Sequence, residues 1–311
     1  MNLDEIILKA KEKSKNIFDK SELNLPGNIE ISGLAYNSAK VEKGFIFFAI
    51  KGYKEDGEKY IEDAVRNGAS AIVTSRETAE KQKNKYSGVV FIPAIDVRKA
   101  MALISSVYFG EPEKKIKCIG VTGTNGKTTI TYLVRHFLQK AGKKCGLIGT
   151  INYMSGKEIR TSTLTTPDSI EIFSMLNEMV NDGLEYCVME VSSIALELGR
   201  VYGINFEQGI FTNLTSEHLD LHKNMENYFN AKKILFDSMP KGSYAISNKD
   251  DIYGEKIVAS QNLIKIFYSI VKPSAFQASD IHLGIEGINF KLNHEGIKYE
   301  IKSKLTGRFN V

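Results

Sequence analysis

The sequence predicts an α/β protein in two parts: a small N-terminal α/β unit, residues 1–112, followed by a larger domain, residues 113–311, built on a mostly parallel sheet. Three observations predict it. Short apolar runs alternate with amphipathic stretches along most of the chain, and a Gly-Glu-Pro-Glu-Lys-Lys segment from Gly110 to Lys115 interrupts that rhythm. Soon after it, a glycine-rich loop joins an apolar run to a helical one.

The first stretch, MNLDEIILKAKEKSK, is charged and amphipathic and has no hydrophobic segment of the kind that directs secretion. From Ile29 to Val73 the runs GFIFFAI and ASAIV read as strands, and EKYIEDAVRNGA between them has helical spacing with a glycine stop. VVFIPAI adds a strand and MALISSVYFG a helix, which completes the first unit. Past the linker the order is strand KCIGVT, helix KTTITYLVRHFLQKAG, strand KCGLIGT, helix PDSIEIFSMLNEMVNDG, then strands EYCVMEV and EQGIFTNL. Such alternation puts parallel strands side by side with helices on both faces. Beyond Pro240 the helical pattern fades, and LGIEGINFKLNHEGIKYEIKSKL reads as a hairpin turning at Asn293 to Gly296.

Composition narrows the class. With 42% hydrophobic and 25% charged residues, the 311-residue chain is ordinary globular material for two domains. A net charge of +4 spread evenly suits anionic small molecules and argues against a nucleic-acid partner. No run approaches the ~18 apolar residues of a membrane span, so a monomeric, cytoplasmic protein with no membrane partner is expected. Cys118, Cys145 and Cys187 each sit in an apolar run, without metal-type spacing, and read as reduced core thiols.

The strongest chemical signal is GVTGTNGKTT, from Gly120 to Thr129. Glycines at 123 and 126 let the backbone curl so that its N–H groups and the following helix N-terminus face an anion. Lys127 can then reach terminal phosphates and Thr128 can ligate magnesium. Val121 stands where the general phosphate-loop pattern has a glycine, so this is a variant loop of a narrower group. By itself it leaves kinase, nucleotide switch and ligase open. MEVSS ends an apolar strand with Glu190, a carboxylate placed where α/β sheets gather catalytic groups and able to bind a second magnesium. NLTSEHLDLH presents His218 as a metal ligand, and NYFNAKKILF places Lys232 on a helix opposite aromatics and leucine.

GTNGKTT, TTPD, EVSS followed by GRV, TNLTSEHLDLH and YFNAKKILF, in that order, make the chain resemble the Mur ligase family. Within it the likeness is to the branch that adds the third peptide residue to a UDP-linked muramyl dipeptide. The stretch YNSAKVEKGFIFFAIKGYKEDGEKYIEDAVRNGASAIV is similar to the UDP-binding domain of those enzymes. The resemblance implies that Gly123, Thr124, Asn125, Gly126, Lys127, Thr128 and Thr129 hold the ATP phosphates and that Asn310 lies near the adenine. It further implies Mg²⁺ at Thr128, Glu190, His218 and Lys232, the lysine being carbamylated. A plain ammonium would repel the metal, whereas a carbamate is an anionic oxygen ligand. Thr165, Thr166, Ser192 and Arg200 match positions that bind the muramyl peptide, and Ser38, Tyr53, Lys54 and Glu55 match contacts to the uridine diphosphate end. The chain departs from the family pattern at Asn37 and Ala39, where an aspartate and an arginine are usual, and at Leu164, Ile194 and Glu217, in place of asparagine, histidine and aspartate.

The implied reaction passes the γ-phosphoryl of ATP to a carboxylate of UDP-N-acetylmuramyl dipeptide, and the amine of a diamino acid then displaces phosphate. Which diamino acid is added stays open, as do two alternatives: another ligase of the superfamily, such as folylpolyglutamate synthase, and an inactive paralogue that only binds the UDP-muramyl peptide. The run LTGRFNV ends the chain where the family continues into a third, Rossmann-like domain. The expectation is therefore a chain that lacks this domain and, alone, binds the nucleotide-linked substrate without ligating.

Overall fold

Leu3, Ile6, Ile7 and Ala10 recur at helical spacing and are all buried, which makes the opening stretch a helix, α1 (Leu3–Lys13). Asn2 caps it by accepting a hydrogen bond from the Asp4 N–H at 2.9 Å. In this computed structural model, which describes residues 1–14, 16–19, 27–52 and 55–311, α1 lies on a four-stranded parallel sheet in the order β1-β2-β3-β4. The strands are β1 (Gly33–Ala35), β2 (Phe45–Phe48), β3 (Ala71–Thr74) and β4 (Val90–Pro93). Helices α2 (Ile61–Arg66) and α3 (Arg76–Gln82) make the crossovers. β3 is buried along its whole length, as an apolar run covered on both faces must be.

Helix α4 (Val97–Tyr108), capped by Asp96, joins the two parts of the molecule. It is buried from Ala100 to Val107, because it packs against the first sheet and α1 and also against a helix of the second part, α6 (Ser169–Asn181). The segment after it is pinned by Glu113, which accepts from Lys13 Nζ at 2.6 Å and from Ser106 Oγ at 2.7 Å.

The second part has eleven strands in the order β15-β14-β13-β12-β11-β10-β5-β9-β6-β7-β8. Its centre is parallel: β5 (Lys117–Thr122), β6 (Cys145–Ile148), β9 (Tyr186–Glu190) and β10 (Phe206–Phe211), with β11 (Tyr244–Asn248) and β12 (Ile264–Ser269) extending it. Helices α5 (Lys127–Lys140), α7 (Ser193–Glu197), α8 (Leu219–His222), α9 (Met225–Asp237) and α10 (Gly254–Ile257) fill the connections together with α6. This is the α/β class expected. Cys118 and Cys187 sit opposite each other on β5 and β9, and all three cysteines are buried and free.

Three features were not foreseen. β11 and β12 add two parallel strands where the pattern faded, since they are short and only the one-turn α10 lies between them. β7 (Asn152–Met154) and β8 (Ile159–Thr161) form an antiparallel edge hairpin too brief for a periodic signal. At the other edge β13 (Phe276–Gly284) joins β14 (Gly287–His294) and β15 (Ile297–Ser303), so the expected hairpin is part of a three-stranded meander. Its second turn is Glu295-Gly296, both at positive φ (50° and 79°), as a two-residue hairpin turn that matches strand twist requires. Among the described residues no helix is long and apolar enough to cross a membrane.

Candidate active site

β10, β5 and β9 lie side by side, with Val121 opposite Glu190 and Thr122 opposite Phe211. Because they are parallel, their carboxyl ends open on one edge, where sheets of this type bind ligands. The glycine-rich loop leaves β5 there. Gly123 has φ +147°, and a Cβ on it would stand 1.9 Å from Thr212 Oγ1, so only glycine lets the end of β10 close on the loop. Thr212 donates its hydroxyl to the Asn125 carbonyl at 2.6 Å. The N–H groups of Thr124 and Asn125 donate to the Asn213 main-chain carbonyl and Oδ1, at 2.8 and 3.0 Å. The loop's own framework thus uses those two donors, while the N–H groups of the first turn of α5, where Lys127, Thr128 and Thr129 stand, have no partner within the helix and can face an anion.

Two lysines converge on the loop. Lys127 Nζ donates to the carbonyls of Gly123 and Thr124 at 3.0 and 2.7 Å, and burial lowers its pKa against the pull of Glu190 and Glu217. Lys232 Nζ donates to the Gly123 carbonyl at 2.8 Å and lies 4.4 Å over the Tyr228 ring. Burial, with Lys127 adding repulsion, brings its pKa down to about 7.

Glu190 is fully buried and fully engaged. Its carboxylate accepts from Thr128 Oγ1 (2.9 Å), the Thr150 N–H (2.8 Å) and Thr150 Oγ1 (3.0 Å). Thr150 Oγ1 is also 3.1 Å from Thr165 Oγ1. On the main-chain side, Thr166 Oγ1 donates to the Glu190 carbonyl at 2.7 Å and accepts the Ser192 N–H at 3.1 Å. Ser192 caps α7 by accepting the Ala195 N–H. Arg200 Nη1 donates to the Thr166 carbonyl at 2.8 Å, and its Nε lies 3.1 Å from Asp168. Tyr36 reaches the same aspartate from the first sheet; burial, followed by the charge and hydrogen bond of Asp168, pushes its phenol up to about 12.

Lys127, Thr128, Thr165, Thr166, Glu190, Ser192, Arg200 and Lys232 are therefore linked in one cluster. His218 stands at its rim. It is exposed, holds a left-handed backbone (φ 55°, ψ 27°) at the start of α8, and faces the Tyr228 ring edge-on at 6.3 Å. Ser38, whose carbonyl accepts from Asn67, and Glu55, which accepts from Tyr60, sit in the first part, and Asn310, donating to Thr306, lies beyond the outermost strand β15. Tyr53 and Lys54 lie outside the described residues. A cavity of about 510 Å³ over the carboxyl ends of β2, β3 and β4 is walled by Ile50, Lys51, Glu58, Ser75 and Lys99, and not by Ser38 or Glu55.

Thr150, Thr212, Asn213, Asp168 and Tyr36 were not singled out in the sequence, although each lies in a quoted stretch: Thr150 ends KCGLIGT, Asp168 ends TTPD, Thr212 and Asn213 open TNLTSEHLDLH, and Tyr36 opens the stretch similar to the UDP-binding domain. Among the described residues no three His, Cys, Asp or Glu side chains form a metal-holding group. The Thr128 hydroxyl and Glu190 carboxylate, 2.9 Å apart, are nonetheless the hard oxygen donors magnesium takes. That ion commonly uses one or two protein oxygens and completes its shell with water and substrate phosphates, so the residues present fit it.

The Mur ligase middle domain matches residues 121–311, and the Mur ligase family catalytic domain matches residues 30–109. UDP-N-acetylmuramoyl-L-alanyl-D-glutamate–2,6-diaminopimelate ligase of Clostridium tetani is 45% identical over 96% of this chain and 61% of its own length. The protein of the same name from Clostridium botulinum is 44% identical over 91% of this chain and 57% of its own. A solved structure of a ligase of that name superposes with a TM-score of 0.80 at 27% identity, over 97% of this chain and 61% of that one. The chain thus spans about three fifths of the length of these relatives.

Proposed function

The chain belongs to the Mur ligase family, and we propose that it serves an ATP-dependent ligase joining a diamino acid to UDP-N-acetylmuramoyl-L-alanyl-D-glutamate in peptidoglycan synthesis, in the cytoplasm. The relatives' names point to 2,6-diaminopimelate as that amino acid.

One observation carries the reading. Thr128 of the phosphate loop donates to the Glu190 carboxylate, and Thr166 donates to the carbonyl of the same residue. A nucleotide seated on α5 and a peptide seated on Thr165, Thr166, Ser192 and Arg200 are then held next to each other, as transfer of a phosphoryl group to a carboxylate requires. The first half-reaction gathers several negative charges. Lys127 offsets part of them, and Arg200, oriented by Asp168, holds the acidic peptide. Thr128, Glu190, His218 and a carbamylated Lys232 would hold magnesium, which when bound would supply further charge neutralisation. The amine then displaces phosphate from the acyl phosphate, so no side-chain nucleophile is needed.

Lys232 suits carbamylation because burial lowers its pKa to about 7, so that a substantial fraction of the amine is neutral and nucleophilic near neutral pH. Calorimetry of this chain with UDP-N-acetylmuramoyl-L-alanyl-D-glutamate, and with ADP with and without Mg²⁺, tests the assignment. Binding of both is expected, with UDP-N-acetylglucosamine much weaker than the muramyl dipeptide. Failure of the dipeptide to bind defeats the reading.

A further inference from the structure

Ser193, His222 and Glu197 form a hydrogen-bonded row that the proposed reaction does not use. Ser193 Oγ lies 2.9 Å from His222 Nε2, and Glu197 Oε1 lies 3.3 Å from Nδ1. A carboxylate only accepts, so in the neutral ring the Nδ1 hydrogen faces Glu197 and Nε2 accepts the Ser193 hydroxyl. The order is that of a nucleophile triad, yet Ser193 and His222 are each 2% exposed, and no substrate carbonyl reaches the hydroxyl.

The remaining contacts of the row lead elsewhere. The His222 ring stacks on Tyr228 at 4.9 Å and 29°. Tyr228 carries Lys232 on its ring face and has its hydroxyl 3.3 Å from Thr124 Oγ1 in the phosphate loop. The His222 main-chain N–H donates to the His218 carbonyl at 3.0 Å. A single imidazole therefore ties α7, which starts at the peptide-binding Ser192, to the helix that carries Lys232.

We infer that His222 is a positioning residue: clamped by Ser193 and Glu197, it fixes the Tyr228 ring that seats Lys232 beside the phosphate loop. The inference rests on the proposal that Lys232 is carbamylated. In that step the neutral Nζ lone pair attacks the carbon of CO₂, an N–C bond forms, one C–O π pair moves onto oxygen, and an Nζ proton leaves to solvent. A lysine seated between the Tyr228 face and the Gly123 carbonyl presents its lone pair in one direction. If the ring tilts, that orientation is lost, though the chain still folds.

The test is ¹³C NMR of the full chain equilibrated with ¹³C-bicarbonate, with the Lys232 carbamate resonance assigned by its loss in Lys232→Ala. His222→Phe keeps a ring against Tyr228 but removes both nitrogen contacts, and Ser193→Ala removes one. His222→Phe is expected to lower carbamate occupancy at a given bicarbonate concentration about tenfold, as loss of supporting contacts behind a ligand does, and Ser193→Ala to lower it less. Circular dichroism and thermal melts identify folded variants; a role in stability alone would lower the melting temperature and leave occupancy of the folded protein unchanged. Occupancy equal to the unsubstituted chain in folded His222→Phe overturns the inference, and Ser193→Ala decides it in the same way if His222→Phe does not fold. No carbamate in the unsubstituted chain overturns the carbamate reading itself, and the inference with it.

Discussion

Lys127 and Lys232 donate to one acceptor, the main-chain carbonyl of Gly123, at 3.0 and 2.8 Å. Two buried amines on a single carbonyl cannot both be comfortably charged. The more buried of them, Lys232, gives way and is brought to about 7, by burial first and by Lys127 second.

This has a measurable cost in the ligand-free chain. The folded pKa lies below the unfolded value of 10.5, so between about 7 and 10.5 the unfolded chain binds more protons at this position, and stability rises with pH across that window. Below about 7 the contribution is flat. Lys232→Met is expected to remove the slope and to stabilise the chain at pH 7 by on the order of 3 kcal/mol, somewhat under the full value of the shift because a hydrogen bond is lost as well. Urea unfolding at pH 6, 7.5 and 9, free of CO₂, checks it; equal slopes in both proteins would show that Lys232 is not their source.

Gly123→Ala should fail in two ways at once. Its φ of +147° is strained for any side chain, by about 1–3 kcal/mol, and the added methyl meets Thr212 Oγ1 at 1.9 Å. ADP binding measured by calorimetry is expected to be lost and the melting temperature to fall. Gly142→Ala, with φ +77° but open space around it, should bring only the strain and leave ADP binding intact. Equal ADP affinity in both variants would mean that the loop tolerates the displacement.

Glu190→Gln keeps the shape of the side chain while removing its charge. Its amide would also point a donor at a site now fed by the Thr128 hydroxyl and both donors of Thr150. The gain in ADP affinity on adding Mg²⁺ should shrink by about tenfold or more, while Mg²⁺-free binding stays nearly constant. Undiminished Mg²⁺ dependence would place the metal elsewhere.

Arg200→Lys tests the peptide end. The guanidinium spans the Thr166 carbonyl and Asp168, and a single ammonium cannot hold both. Affinity for the UDP-linked dipeptide is expected to fall roughly ten- to a hundredfold, the range for losing a charged hydrogen bond, with ADP binding unchanged. A parallel loss of ADP affinity would indicate a disturbed fold.

How much of this was legible in the sequence depends on how far apart the interacting residues stand. Strand-loop-helix order around Gly123, the alternation that signals a parallel sheet and the Glu295-Gly296 turn are written in neighbouring residues, because periodicity and backbone permissiveness act over a few positions. The family resemblance added Lys232, which on residue type alone would read as a surface lysine. The partners were not legible. Thr150 stands 40 residues from Glu190, and Asn213 stands 88 from Asn125; the first pair meets because β6 and β9 align their carboxyl ends, the second because β5 and β10 do. The same holds for the short strands β11 and β12, which exist because β10 offers an edge to pair with.

The sequence by itself determined the α/β class, the glycine-rich turn between β5 and α5, and the family. Only the tertiary structure decided that Lys232 is a buried amine of lowered basicity, that Glu190 is saturated by threonine donors, and that His222 is tied to both α7 and Tyr228. Proton affinity and orientation follow from desolvation and from the nearest charges and dipoles, and these come from segments of chain that folding alone brings together.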